Sequence, residues 1–292
     1  MDQLLQQIVN GLSLGSIYAL IALGYTMVYG IIKLINFAHG DIYMLGAYIG
    51  FATITFTNLG FIPALIISMA ACAVLGVTIE KIAYKPLRQA SRIAVLITAI
   101  GVSLFLEYTT MFFVGATPRA FPQALTNEML HLGNVTISLH QIYIVSITII
   151  LMLMLQFIVH KTKTGKAMRA VSIDQDAAQL MGIKVDSTIS FTFAIGSALA
   201  GAAGILVGLY YNTINPLMGI TPGLKAFVAA VFGGIGIIPG AMIGGVSIGM
   251  IETFVAGYGN SMYKDAVVYL ILILVLLIKP SGLLGKNTRE KV

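Results

Sequence analysis

The chain has 292 residues, 58% of them hydrophobic and 10% charged, with a mean hydropathy of +0.94. A water-exposed surface usually needs roughly 25% charged residues, so a soluble globular protein is excluded; at about 20 residues per membrane-spanning helix, so is a sizeable extramembrane domain. The net charge of +6 does not mark a nucleic-acid binder, because the basic residues are scattered over short loops, and the single cysteine, Cys72, leaves no internal disulfide or cysteine metal cluster.

Backbone polar groups in hydrocarbon must be satisfied within the protein, so only helices and closed barrels cross. The apolar runs have helical length and no strict polar alternation, which predicts an all-α polytopic membrane bundle of about eight or nine spans, one domain over residues 1–292. The first span covers about 8 to 31. No Lys or Arg precedes position 33, so the basic start of a secretory signal is missing and this span is expected to remain in the mature protein. Gly11 and Gly15 give it a small-residue face suited to close helix contact, as Gly46 and Gly50 do for the second span, about 40 to 57. Between the two stands Asn36-Phe37-Ala38-His39-Gly40-Asp41. Asn36 is placed to cap the second helix, and Asp41 falls where the helix dipole favours negative charge. One His and one Asp fall short of a metal site, and no catalytic constellation of nucleophile, base and acid is recognisable.

The third span, about 61 to 80, and the fourth, about 94 to 115, flank a loop holding Lys81, Lys85, Arg88 and Arg92. Glu107 lies mid-span in the fourth. A charge at the bilayer centre costs on the order of 2.5 to 3.5 kcal/mol and therefore faces the interior, where an interhelical hydrogen bond is the expected role. Residues 116 to 140 are the longest stretch on the far side, with Pro118, Pro122 and an expected short surface helix near Leu125 to Leu132. His131, His140 and, past the fifth span at about 141 to 160, His160 are expected to be solvated.

The longest loop on the basic side, 161 to 188, starts with Lys161, Lys163, Lys166 and Arg169 and continues Asp174-Gln175-Asp176-Ala177-Ala178-Gln179-Leu180-Met181-Gly182-Ile183. Ala177, Ala178, Leu180 and Met181 make one short helix with an apolar side, ended by Gly182 as its C-terminal cap. A plain connector could be far shorter, so this is a knob shaped for a partner's groove or a helix lying on lipid headgroups. The sixth span, about 189 to 211, carries the Ala200, Gly204, Gly208 stripe. A Gly-rich pair follows at about 224 to 237 and 240 to 257, with a third such stripe at Gly236, Gly240 and Gly244. At Gly233-Gly234-Ile235-Gly236-Ile237-Ile238-Pro239-Gly240 the proline removes a donor and the glycines weaken helix. This break is either a cytoplasmic turn between short spans or backbone lining a pathway. Glu252, in the second arm, has no evident cationic partner. A last span, about 265 to 279, leads to Lys279, Lys286, Arg289 and Lys291.

Cytoplasmic loops are enriched in Lys and Arg. With Lys33, fourteen of the 17 basic residues then lie inside, leaving Arg119, Lys225 and Lys264 outside; the N-terminus is expected outside and the C-terminus in the cytoplasm.

Asp176 to Gly182 reads DAAQLMG and resembles the EAA-three-residues-G loop of ABC importer permeases, with Asp for the leading Glu and without the later Ile-x-Leu-Pro ending. GLSLGSIYAL at 11–20, NFAHGD at 36–41, LGAY at 45–48, the run from Arg169-Ala170-Val171 to Gly182-Ile183, and Phe232-Gly233-Gly234-Ile235-Gly236 with Pro239-Gly240 make essentially the whole chain similar to the permeases of branched-chain amino-acid ABC importers. Permeases for urea and short amides share these motifs. The resemblance implies a coupling helix that docks in a cleft of an ABC ATPase subunit, carried by Asp174, Asp176, Ala177, Ala178 and Gly182. Asn36, His39, Asp41, Gly233, Gly234, Gly236, Pro239 and Glu252 are the residues expected along the translocation path. The resemblance also implies a complex of two permeases, the second expected to be a paralogue, two ATPases and a periplasmic or extracellular binding protein. This complex would import an amino acid across the bacterial cytoplasmic (inner) membrane with no cofactor or nucleic acid. Lys166 precedes Ala167 and Lys286 precedes Asn287, so no G-x-x-x-x-G-K-[ST] loop exists to cradle a nucleotide phosphate; ATP is expected to be handled by the other subunit. The rival expectation is an ion-coupled secondary transporter using Glu107 or Glu252, which predicts gradient-driven transport by the isolated chain.

Overall fold

The computed structural model describes residues 2–285 except 124, 126, 127, 133 and 134. In chain order its α-helices are α1 (Asp2–Ile32), α2 (His39–Thr57), α3 (Phe61–Ile79), α4 (Arg92–Val114), α5 (Leu139–Lys161), α6 (Lys163–Ile173), α7 (Gln175–Leu180), α8 (Val185–Tyr211), α9 (Ile220–Gly233), α10 (Ile238–Tyr258) and α11 (Lys264–Ile278). Seven helical segments are long and apolar enough to cross a membrane: α1, Phe61–Leu87, α4, α5, α8, α10 and Ser261–Ile278. α2, with its polar start, and the short α9 complete the bundle. At 14 residues, α9 is about 21 Å long and cannot cross a core about 30 Å thick.

α1 and α8 run through the centre, while α11 is almost wholly exposed along its apolar length. Helices in lipid gain nothing from excluding water, so close packing holds them together, and the small-residue stripes serve that purpose within this one chain. α1 runs antiparallel to α10, from Gln3, whose Nε2 reaches Gly257 O at 3.4 Å, to Gly30 beside Gly236. A Cβ added at Gly15 would stand 2.7 Å from Val246 Cα, and one at Gly46 2.5 Å from Gly201 Cα on α8. Neither has room for a methyl group.

The bundle has two unlike ends. At one, the α3–α4 connection, the segment between α5 and α8, the α9–α10 turn and the residues after α11 come together. Arg88 pairs with Asp186, and Leu283 N–H donates to Phe232 O at 2.8 Å. The predicted basic loops thus share one end; Lys286, Arg289 and Lys291 lie outside the described residues. At the other end β1 (Arg119–Ala120) pairs antiparallel with β4 (Thr213–Ile214), and β2 (Met129–Leu132) with β3 (Val135–Ser138). The helix expected near Leu125 to Leu132 is therefore corrected to a hairpin strand over its second half. Gln6 clips the hairpin to α1, donating to Thr136 O and accepting from Thr136 N–H, each at 3.0 Å. His140, expected in solvent, is buried, while His131 and His160 are exposed.

Candidate functional site

α7 is built by local chemistry. The Asp174 carboxylate accepts the Ala177 N–H at 3.0 Å, satisfying one of the free donors of the first turn. Gly182 takes φ +82°, and the Ile183 N–H returns to Ala178 O at 3.0 Å, the left-handed close that glycine permits. Only Ala178 of this helix is buried. Leu180 is 89% and Met181 83% exposed. Asp176 and Gly182 border an open recess of about 730 Å³ that continues to Arg88 and Asp186. An apolar knob with an acidic flank, standing free at the basic end, is suited to insertion into a complementary groove.

A chain of polar contacts leads from this knob into the bundle. Asp186, in the first turn of α8, meets Lys85 at 2.7 Å and Arg88 at 2.6 Å. Arg88 also pairs with the buried Glu80, whose other oxygen accepts from Ser190 at 2.6 Å. Glu80 opens a π-helical turn, Glu80–Tyr84, an irregularity common at functional sites. Tyr84 ends that turn, and its hydroxyl donates to Asn36 Oδ1 at 2.7 Å. Asn36 is therefore not the cap of α2: that position is Ala38, with no side-chain cap bond. The Asn36 side chain is held across the bundle instead, and its Nδ2 is buried without a partner.

α2 begins well inside the bundle. His39 lies against Gly24, where a Cβ would fall 2.1 Å from its Nε2, and Gly24 in turn meets Gly196. Gly196 is about 16 Å along α8 from Val185 at 1.5 Å per residue. Asp41 is buried beside Ser103 and Glu107 of α4. Gly40 abuts Gly219, just before α9; a Cβ on Gly40 would be 2.5 Å from Gly219 O. Two helices thus start face to face at mid-bundle, and the interrupted backbone lies there. The Gly233 to Pro239 break is a turn at the basic end, where Gly234 meets Ser281 and Gly285. Of the residues predicted for a pathway, Asn36, His39 and Asp41 gather at mid-bundle; Gly233, Gly234, Gly236 and Pro239 stand apart at that turn.

Glu252 belongs to a third place. Its Oε1 accepts from Lys225 Nζ at 2.6 Å and its Oε2 from the Tyr18 hydroxyl at 2.8 Å. Lys225 also lies 2.6 Å from Asp265 Oδ1, and Lys264 is 3.7 Å from Glu252. Lys225 and Glu252 are buried; Asp265 is 44% and Lys264 36% exposed, so the cluster runs from the core to the surface. Lys225 was counted among the external loop residues from sequence. It is buried rather than solvated, and Glu252, 27 residues on, is its partner. Sequence reasoning also passed over Tyr18, Tyr84, Arg88 and Asp186 as functional residues; a lone Lys inside the apolar run 220–233 was the one available hint.

A family profile described as "Branched-chain amino acid transport system / permease component" matches residues 7–276. The chain is 44% identical over 300 residues to the high-affinity branched-chain amino acid transport system permease protein BraD of Pseudomonas aeruginosa, covering 99% of this chain and 98% of that one. It is 43% identical to the corresponding LivH of Escherichia coli, covering 99% and 97%. A probable branched-chain amino acid transport permease of Methanocaldococcus jannaschii is 30% identical over 94% of this chain and 90% of its own.

Proposed function

This chain belongs to the permease-component family of branched-chain amino acid transport systems, and on that premise we propose that it forms one half of the membrane channel of an ATP-driven importer for branched-chain amino acids. ATP is hydrolysed by separate ATPase subunits, since the sequence holds no phosphate-binding loop. A second permease, a paralogue of this one, completes the channel, and a binding protein delivers substrate from outside. The basic end faces the cytoplasm of the bacterial inner membrane by the positive-inside rule, which sets the N-terminus outside and the C-terminus inside.

The observation that carries this reading is α7, a capped helix with Leu180 and Met181 in the open at the basic end. Closure of an ATPase pair gripping α7 would displace the start of α8 through Gly182 to Asp186. Arg88 and Glu80 pass that displacement to the π turn, and Tyr84 to Asn36, where α2 begins. Interconversion of two packed arrangements by such a lever is the shear type of domain motion, and the ligand that favours one arrangement must bind it better. Asp174, Asp176, Ala177, Ala178 and Gly182 are the coupling residues; Asn36, His39 and Asp41 line the moving mid-bundle.

The test is co-purification and transport. The tagged chain isolated from native membrane should retain an ATPase that Gly182→Asp releases, and proteoliposomes of the complete complex should take up leucine only with ATP. Uptake by the isolated chain driven by an ion gradient would overturn the reading in favour of a secondary transporter.

A further inference from the structure

The outer-half cluster holds two cations, Lys225 and Lys264, and two carboxylates, Glu252 and Asp265. Their charges cancel. A buried ion pair is strongly destabilised when one partner is removed, because a charge is left uncompensated, yet a ligand that brings both charges can replace each bond it breaks. Tyr43, fully buried on α2, has no partner for its hydroxyl and lies within electrostatic reach of Tyr18 and Tyr211.

A recess also stands at the far end of the bundle. It has a volume of about 340 Å³ and is lined by Asn10, Ser138, Gln141, Tyr210 and Asn212 among others, a size within the range of about 300 to 1,000 Å³ typical of small-molecule sites. Gln141 Nε2 donates to Asn10 Oδ1 at 2.8 Å across it. Tyr210, which lines the recess, feels the charge of Glu252.

We propose that Lys225 and Glu252, with Tyr18 and Asp265 around them, form a zwitterion-exchange site in the outer half of the permease: the α-carboxylate of an amino acid takes the Lys225 ammonium while its α-ammonium takes Glu252. The inference rests on the importer reading above and names the residues that select its substrate. In the absence of substrate the Lys225–Glu252 pair closes α9 onto α10 and α1. A free amino acid opens it without leaving any charge unpaired, and Asp265 holds Lys225 during the exchange. Urea or a short amide supplies neither charge and cannot separate the pair on the same terms.

The experiment uses the complete importer in proteoliposomes, with leucine as the probe. Wild-type uptake dependent on ATP is the prerequisite, and its absence would count against the importer reading rather than this site. In Lys225→Met/Glu252→Gln, both charges go together, and in Lys225→Glu/Glu252→Lys the pair is kept but reversed. Both should assemble with the ATPases and lose at least tenfold in leucine uptake. Assembled double variants that carry leucine at more than half the wild-type rate would make the pair purely structural and overturn the proposal. A second measurement needs no variant: ligand bound to the folded state raises its melting temperature. Leucine at tens of millimolar should raise the melting temperature of the detergent-solubilised complex without binding protein, while leucinamide and N-acetylleucine should not. Equal stabilisation by all three, or by none, would overturn it.

Discussion

The molecule carries two ionic clusters, one near each end, and they are built on different physics. At the basic end Arg88 and Lys85 meet Asp186 where water reaches them: Asp186 is 58% and Lys85 48% exposed. Exposed pairs contribute about 0 to 1 kcal/mol, so the two contacts of Asp186 can be remade as the helices move, while Arg88 stays paired with the buried Glu80. In the outer half Lys225 and Glu252 are sealed from water, and breaking such a pair by deleting one partner costs about 3 to 5 kcal/mol. The first is a joint that transmits movement cheaply. The second is a latch, which opens only for something able to substitute for it.

The sharpest break of this comparison is a single substitution in the latch. Glu252→Ala or Lys225→Met alone should destabilise the protein by about 3 to 5 kcal/mol, read as a lowered melting temperature and a lower yield of monodisperse complex. A cost below 1 kcal/mol would place the outer pair in the same class as the inner one. Next comes the packing that seals the latch. A Cβ on Gly245 of α10 would stand 2.3 Å from Ala19 Cα of α1, so Gly245→Val should cost about 1 to 3 kcal/mol or more by overpacking, measured by the same melt. Tyr84→Phe removes the hydroxyl that holds Asn36. A net loss of about 1 kcal/mol is expected, with ATP hydrolysis less tightly tied to substrate delivery. The smallest effect on stability belongs to Asp186→Asn, at or below about 1 kcal/mol, while transport per ATP hydrolysed should fall. Unchanged coupling in both of the last two variants would remove the joint from the lever.

Local features were legible in the sequence. α7 and its closing Gly182 follow from residues within one turn of each other, and the all-α build of the bundle follows from backbone chemistry in lipid. The sorting of basic loops to one end was likewise readable, since Lys and Arg densities change over whole segments. The errors have a common form. Asn36 was given the nearest task, capping α2, when its partner Tyr84 is 48 residues away. Glu252 shows no cationic partner in the sequence because nothing within its own window reveals Lys225 opposite. The 129–132 segment pairs with 135–138 as a strand although its local sequence suggests helix, and His140 is covered by the fold although its position beside a loop suggests solvent.

What the amino-acid order determined by itself is the material: an all-α set of apolar helices for lipid, a capped knob, basic loops on one side and glycines where backbones can meet. Those properties depend on composition and on neighbours a few residues apart. Tertiary structure alone decided which polar residues face each other, that α2 and α9 both begin at mid-bundle with Gly40 against Gly219, and that Lys225 answers Glu252. In a bundle where apolar side chains meet lipid as readily as one another, close approach and paired charges choose the neighbours, and those choices exist only once the helices are in contact.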